Sequence, residues 1–171
     1  MLSEKIQNAI NSQINAELYS SYLYVAMAMY FESIDMSGAA KWMNAQAQEE
    51  LVHADKFMHY VNERGGRVLL DAIEKPPGEW KSILDAFETA LAHERKVSAL
   101  INDLVTLARE EKDHMTDNFL QWYVAEQVEE EVSAGEVVRK LKLIGDSGGG
   151  RFMIDNELGQ RVFVPAASSG E

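Results

Sequence analysis

Four long apolar stripes, each broken near its midpoint by a carboxylate, constrain this chain more than any other feature of its sequence. The stripes step alternately by four and three residues, the period of a helix that buries one face. The first reads Ile6, Ile10, Gln13, Glu17, Ser20, Tyr24, Met27 and Phe31. The second reads Ala39, Met43, Gln46, Glu50, His53, Phe57 and Tyr60. The third reads Ile83, Phe87, Ala90, Glu94, Val97, Ile101, Leu104 and Ala108. The fourth runs from Thr116 through Leu120, Tyr123, Gln127, Glu130, Ala134, Val137 and Leu141 to Ile144.

Helix breakers set the ends of these elements. The chain has 3 prolines, Pro76, Pro77 and Pro165, and none falls within a stripe. Predicted helices run from Glu4 to Glu32, Ala39 to Arg64, Ser82 to Glu111 and His114 to Ile144. Gly65-Gly66 and Gly145 stand where a left-handed cap ends a helix. Ser82 with Asp85 reads as a capping box, and Asp113 as the cap of the fourth helix. The connections are short, long and short. Short links join antiparallel neighbours, and one long link lets helices two and three run parallel. The predicted class is therefore all-α: a four-helix bundle over 1–145 with one long crossover. A short fifth helix, Phe152 to Leu158, is expected at the bundle end within 146–160, followed by an exposed tail over 161–171. One domain fits 171 residues, against a prior of roughly 150 per domain.

Lys+Arg is 16 and Asp+Glu is 28, a balance of 16 − 28 = −12. That balance argues against nucleic acid and anionic membranes as partners and favours cations. With 0 cysteines there is no disulfide, thiolate zinc site or iron–sulfur cluster, so any metal must be held by oxygen and imidazole. The N-terminus lacks the apolar core of a signal peptide. The most apolar stretch, Tyr19 to Phe31, is too short to span a bilayer. A cytoplasmic protein is expected.

The breaks in the stripes share a depth. Glu17 lies 13 residues past Glu4, Glu50 lies 11 past Ala39, Glu94 lies 12 past Ser82, and Gln127 lies 13 past His114. A midpoint stays a midpoint whichever way a helix runs. Glu17, Glu50, His53, Glu94, Gln127 and Glu130 should therefore meet in one layer. Four carboxylates in an apolar interior repel one another and lose hydration, so they either take up protons or gather divalent cations. Two such cations match the charge of four carboxylates. The Glu50/His53 spacing puts both donors on one helical face. Oxygen-rich ligation with one imidazole suits iron or manganese. Tyr24 shares the stripe of Glu17 and can reach the layer with its hydroxyl. Glu49, Glu126 and Glu129 flank it and frame a third, more exposed cation site. His59, His93 and His114 lie off the stripes and read as surface or interface residues. Helix one is also apolar on its other side, at Leu18, Tyr22, Val25 and Met29, which calls for a partner subunit.

From about residue 1 to 158 the chain resembles the bacterial non-haem ferritins. The resemblance is carried by Asn-Ala-Glu17-Leu-Tyr-Ser-Ser-Tyr-Leu-Tyr24, by Gln-Glu49-Glu50-Leu-Val-His53-Ala, by His93-Glu94, and by Trp122-Tyr-Val-Ala-Glu126-Gln127-Val-Glu129-Glu130-Glu. It implies a ferritin-like bundle assembled as a hollow cage of 24 subunits that oxidises Fe(II) with O₂ or H₂O₂ and stores ferric mineral. It implies that Glu17, Glu50 and His53 bind a first iron, and that Glu50 bridges to a second iron held by Glu94 and Glu130. Gln127 would hydrogen-bond near the second iron. Tyr24, and Trp122 as a further source, would supply an electron. Glu49, Glu126, Glu129 and Glu130 would form a third iron site. Leu51 stands where bacterioferritins carry their haem-ligating methionine, and Gln127 and Glu130 stand where they carry Glu and His, so no haem is expected. Leu120 replaces the second acid of the channel found in animal-type cages. The alternative on the same bundle is a di-metal carboxylate oxidase or a manganese catalase-like enzyme, which would keep two metals per chain and turn over a substrate.

Overall fold

The computed structural model describes residues 2–164, and in them the chain forms five helices and no strand. They are α1 (Glu4–Ser33), α2 (Ser37–Glu63), α3 (Ile83–Glu110), α4 (His114–Ile144) and α5 (Gly148–Leu158). Local chemistry sets most ends. Ser3 accepts from the Ile6 amide to start α1. Ser82 accepts from the Asp85 amide while Asp85 accepts from the Lys81 amide, at 3.1 and 2.9 Å, a reciprocal cap at α3. Asp113 caps α4 through the Thr116 amide at 3.1 Å.

Two ends depart from expectation. The second helix begins at Ser37 with no cap of its own; instead Asp155 of α5 accepts from the Ala39 amide at 2.8 Å. The approach is so close that a Cβ on Gly38 would lie 1.8 Å from the Asp155 carbonyl oxygen, which leaves room only for glycine. The fifth helix begins at Gly148 rather than Phe152. Ser147 accepts from the Gly150 amide at 3.2 Å, and this cap outweighs the poor helix propensity of three glycines.

The α1–α2 pair and the α3–α4 pair each pack side by side. The long connection joins them by climbing α1. Gln7 accepts from the Arg67 amide, and Asn11 donates to the Arg67 carbonyl and accepts from the Leu69 amide. Asn15 donates to the carbonyls of Asp71 and Ala72, and Tyr30 donates to the Trp80 carbonyl. The chain thus crosses the bundle end to end before α3 begins, which makes α3 parallel to α2.

The core is divided in two. One cluster gathers Tyr24, Met27, Phe31, Met43, Phe87 and Leu141; the other gathers Ile6, Ile10, Phe57, Ile101, Leu120 and Tyr123. Between them lies a buried polar layer. At the far end of the second cluster Arg64 donates to both Asp113 carboxylate oxygens, at 3.2 and 3.0 Å. It also donates to Thr116 and to Tyr60. The outer face of α1 stays open: Tyr22 is 50% and Met29 55% exposed in the isolated chain. Among the described residues no helix is long and apolar enough to cross a membrane.

Candidate metal centre

All six residues expected at mid-bundle are buried: Glu17, Glu50, His53, Glu94, Gln127 and Glu130. They come from the middle turns of four helices, where neighbouring stripe positions fill the two apolar clusters.

Glu17, Glu50 and His53 each present one donor atom, and the three atoms lie within 4.8 Å of one another. Gln13 donates to Glu17 Oε1 at 2.8 Å and holds its carboxylate. Glu17 Oε2 and Glu50 Oε2 are buried with no hydrogen-bond partner among the described residues. His53 Nδ1 stands 3.4 Å from Glu50 Oε2. Orphaned carboxylate oxygens beside an imidazole nitrogen fit a hard divalent cation, because a buried anion otherwise needs a donor.

His53, Glu126 and Glu130 bring a second set of donor atoms within the same 4.8 Å limit. His53 Nε2 lies 4.0 Å from Glu126 Oε1, and Gln46 donates to Glu130 Oε2 at 2.5 Å. His53 therefore faces both groups, one through each ring nitrogen. Its orientation is set by neighbours: Tyr123 donates to its carbonyl at 2.8 Å, and Trp122 meets its ring edge-on at 5.4 Å between centroids.

Glu94 belongs to neither group. Its Oε1 accepts from the Tyr24 hydroxyl, and its Oε2 from Gln127 Nε2 at 3.2 Å. Tyr24 and Gln127 thus reach the layer as partners of Glu94. Of the residues expected at a third site, Glu126 joins His53 and Glu130. Glu129 is exposed and outside both groups. Glu49 is half-buried and paired with Arg161, whose Nη2 lies 2.5 Å from its Oε2. Arg161 is therefore not the start of an exposed tail; residues 165–171 of that tail lie outside the described residues.

The electrostatics follow from burial. Desolvation, reinforced by the charges of Glu94, Glu17 and Glu130, pushes Glu50 well above the usual carboxylate range. Burial raises Glu94 to about 7 although Tyr24 and Gln127 hold it back. Burial and the charge of Glu94 raise Glu130 to about 7. Burial, then Glu94 and Glu50, pushes the Tyr24 phenol up, so it stays a hydrogen-bond donor.

Several neighbours escaped the sequence reading. Gln13 and Gln46 stand on their stripes, and each precedes a stripe carboxylate by four residues. Their helical spacing was the available signal. His93, read as a surface or interface residue, is half-buried in this chain. Its Nε2 lies 2.7 Å from Ser20 Oγ and its ring packs on Tyr19 and Tyr24. Burial, helped by Lys96, lowers it to about 4, so it is neutral.

Comparison with known proteins agrees with this geometry. The ferritin-like domain family matches residues 7–144. A bacterial non-heme ferritin of Bacteroides fragilis (strain 638R) is 49% identical over 161 residues, 94% of this chain and 100% of the relative. One from Campylobacter jejuni is 41% identical over 155 residues, 91% of this chain and 93% of the relative. The crystal structure of the open-pore ferritin of the archaeon Archaeoglobus fulgidus superposes with a TM-score of 0.94 at 54% identity, covering 95% of this chain and 100% of that one. With the family's domain over its helices and full-length relatives in the bacterial group, this chain belongs to the non-haem ferritins.

Proposed function

We propose that this ferritin stores iron by oxidising Fe(II) at a pair of adjacent sites in the mid-bundle layer. Glu17, Glu50 and His53 would receive the first Fe(II). Glu50 would bridge to a second held by Glu94 and Glu130, and Glu49, Glu126, Glu129 and Glu130 would form an outer, third position. The observation that carries this reading is the pair of orphaned oxygens, Glu17 Oε2 and Glu50 Oε2, beside a histidine in a layer without a buried cation.

The chemistry follows from the donors. Hard carboxylates stabilise Fe(III) over Fe(II), which favours loss of an electron. Two Fe(II) ions in one layer give two electrons together, so O₂ and two protons leave as H₂O₂ without a one-electron product. Each Glu94 oxygen accepts one hydrogen bond, from Tyr24 or Gln127, and keeps a second lone pair for a metal, so those two donors hold the carboxylate in place. Gln127 contributes a neutral amide, so the second position binds less firmly than one with a further carboxylate. Oxidised iron can then move on to mineral. The exposed apolar face of α1, at Tyr22, Val25 and Met29, supports assembly with copies of this chain, and the family supports a cage of 24. The charge balance and the absence of a membrane-crossing helix among the described residues support a cytoplasmic store.

Aerobic Fe(II) loading of the metal-free protein tests the reading, with ferric absorbance and iron retained on gel filtration as readouts. Tens of irons per chain, eluting soluble with a very large particle, are expected. Saturation near two per chain would reassign the bundle to a di-metal enzyme.

A further inference from the structure

Arg161 follows α5 directly and turns back onto α2. Its Nη2 lies 2.5 Å from Glu49 Oε2, and its guanidinium sits over the Trp42 ring, 4.4 Å from the centroid. The segment is held in place independently, since Lys41 donates to the Gly159 carbonyl at 2.8 Å and the Arg161 amide donates to the Leu158 carbonyl at 3.1 Å. Only one arm of the fork is used. Nη1 is buried without a hydrogen-bond partner among the described residues.

An arginine that serves only to fasten a carboxylate normally uses both arms. Here one arm is idle, and the indole face keeps hold of the cation whether or not Glu49 stays. The contacted atom is a carboxylate oxygen expected at the outer site, beside His53, Glu126 and Glu130. A divalent cation there and the guanidinium need the same carboxylate.

We propose that Arg161 is the displaceable counter-ion of the outer site: it occupies Glu49 when no metal is bound, and an entering divalent cation must take Glu49 from it. The inference rests on the third position named above. Arg161 thereby weakens the outer position relative to the inner pair. The inner positions fill first, and an ion in the outer one stays free to leave.

Anaerobic titration of the assembled, metal-free protein with Zn(II), followed by calorimetry, tests this without iron oxidation. Wild type should show tight inner binding followed by a weaker outer step that Glu49→Gln removes. In Arg161→Gln the outer step should tighten about tenfold, about 1.4 kcal/mol, with the inner steps unchanged. Arg161→Lys keeps the charge but not the fork and should tighten it about threefold. It decides the matter if Arg161→Gln does not assemble. An outer step that is lost in Glu49→Gln yet unmoved in the Arg161 variants overturns the counter-ion role and leaves the third position standing. No outer step in any variant overturns the third position, and the role of Arg161 falls with it.

Discussion

Two polar clusters are built into this bundle on opposite terms. In the terminal one, Arg64 meets Asp113, Thr116 and Tyr60, so positive faces negative and every group finds a partner. Burial alone would raise the Asp113 carboxyl, but the hydrogen bonds from Arg64 and Thr116 together hold it below its usual range. In the middle one, four carboxylates face a single histidine, and among the described residues no lysine or arginine is buried. The first cluster is complete without a ligand and the second is not. A buried polar network left incomplete costs stability, and the chain tolerates that cost at the one depth where all four helices contribute a donor.

The largest expected effect comes from the incomplete cluster. Glu50→Gln keeps shape and removes the central charge. Initial Fe(II) oxidation should fall by more than about 100-fold, beyond what outer partners of a metal ligand typically contribute. The metal-free variant should melt no lower than wild type, because burial already favours the neutral form of Glu50 and the amide is neutral at every pH. A stopped-flow rate near wild type, or a lower melting temperature, would break the contrast.

The next effect is that of pH. Glu94 and Glu130 titrate at about 7 in the fold against 4.5 for the free side chain. Between those values the folded chain binds more protons than the unfolded one, so stability falls as pH rises and is recovered on acidification. Metal-free protein should be more stable at about pH 5.5 than at about pH 8, by on the order of a few kcal/mol, and saturating Zn(II) should flatten the difference. Thermal melts at the two values, with and without Zn(II), measure it. Equal melting temperatures without metal would mean that the layer is not strained by charge.

Arg64→Ala probes the complete cluster. It strands Asp113 partly buried and should cost about 3 kcal/mol in denaturant melts, while the oxidation rate is retained. A loss of activity at unchanged stability would reverse the roles of the two clusters. The smallest effect calibrates the scale: Asn11→Ala removes two exposed hydrogen bonds to the long connection and should cost about 1 kcal/mol. A cost equal to that of Arg64→Ala would show that burial does not distinguish them.

The mid-bundle layer was legible because helical period converts sequence position directly into depth. Glu17, Glu50, Glu94 and Gln127 needed no tertiary information to be placed at one level. What escaped depends on contacts between distant segments. His93 sits one residue from a stripe position, and only the packing of α3 on α1 buries it against Ser20. The start of α5 turns on whether Ser147 or the glycines after it dominate, a local contest that favours the cap once Asp155 reaches Ala39. Arg161 shows no helical period at all, so its pairing with Glu49 is visible only in three dimensions. The amides of Gln7, Asn11 and Asn15 read as a solvated face until the long connection is laid against them.

That last arrangement separates two duties within one segment. Helix α1 grips the connection mostly through main-chain carbonyls and amides of residues 67–72, and leaves Leu69, Leu70 and Ile73 pointing outward, at 52%, 65% and 42% exposure. The peptide groups set the route, with Val68 packed against the second apolar cluster. The outward residues can therefore change without altering the path of the chain.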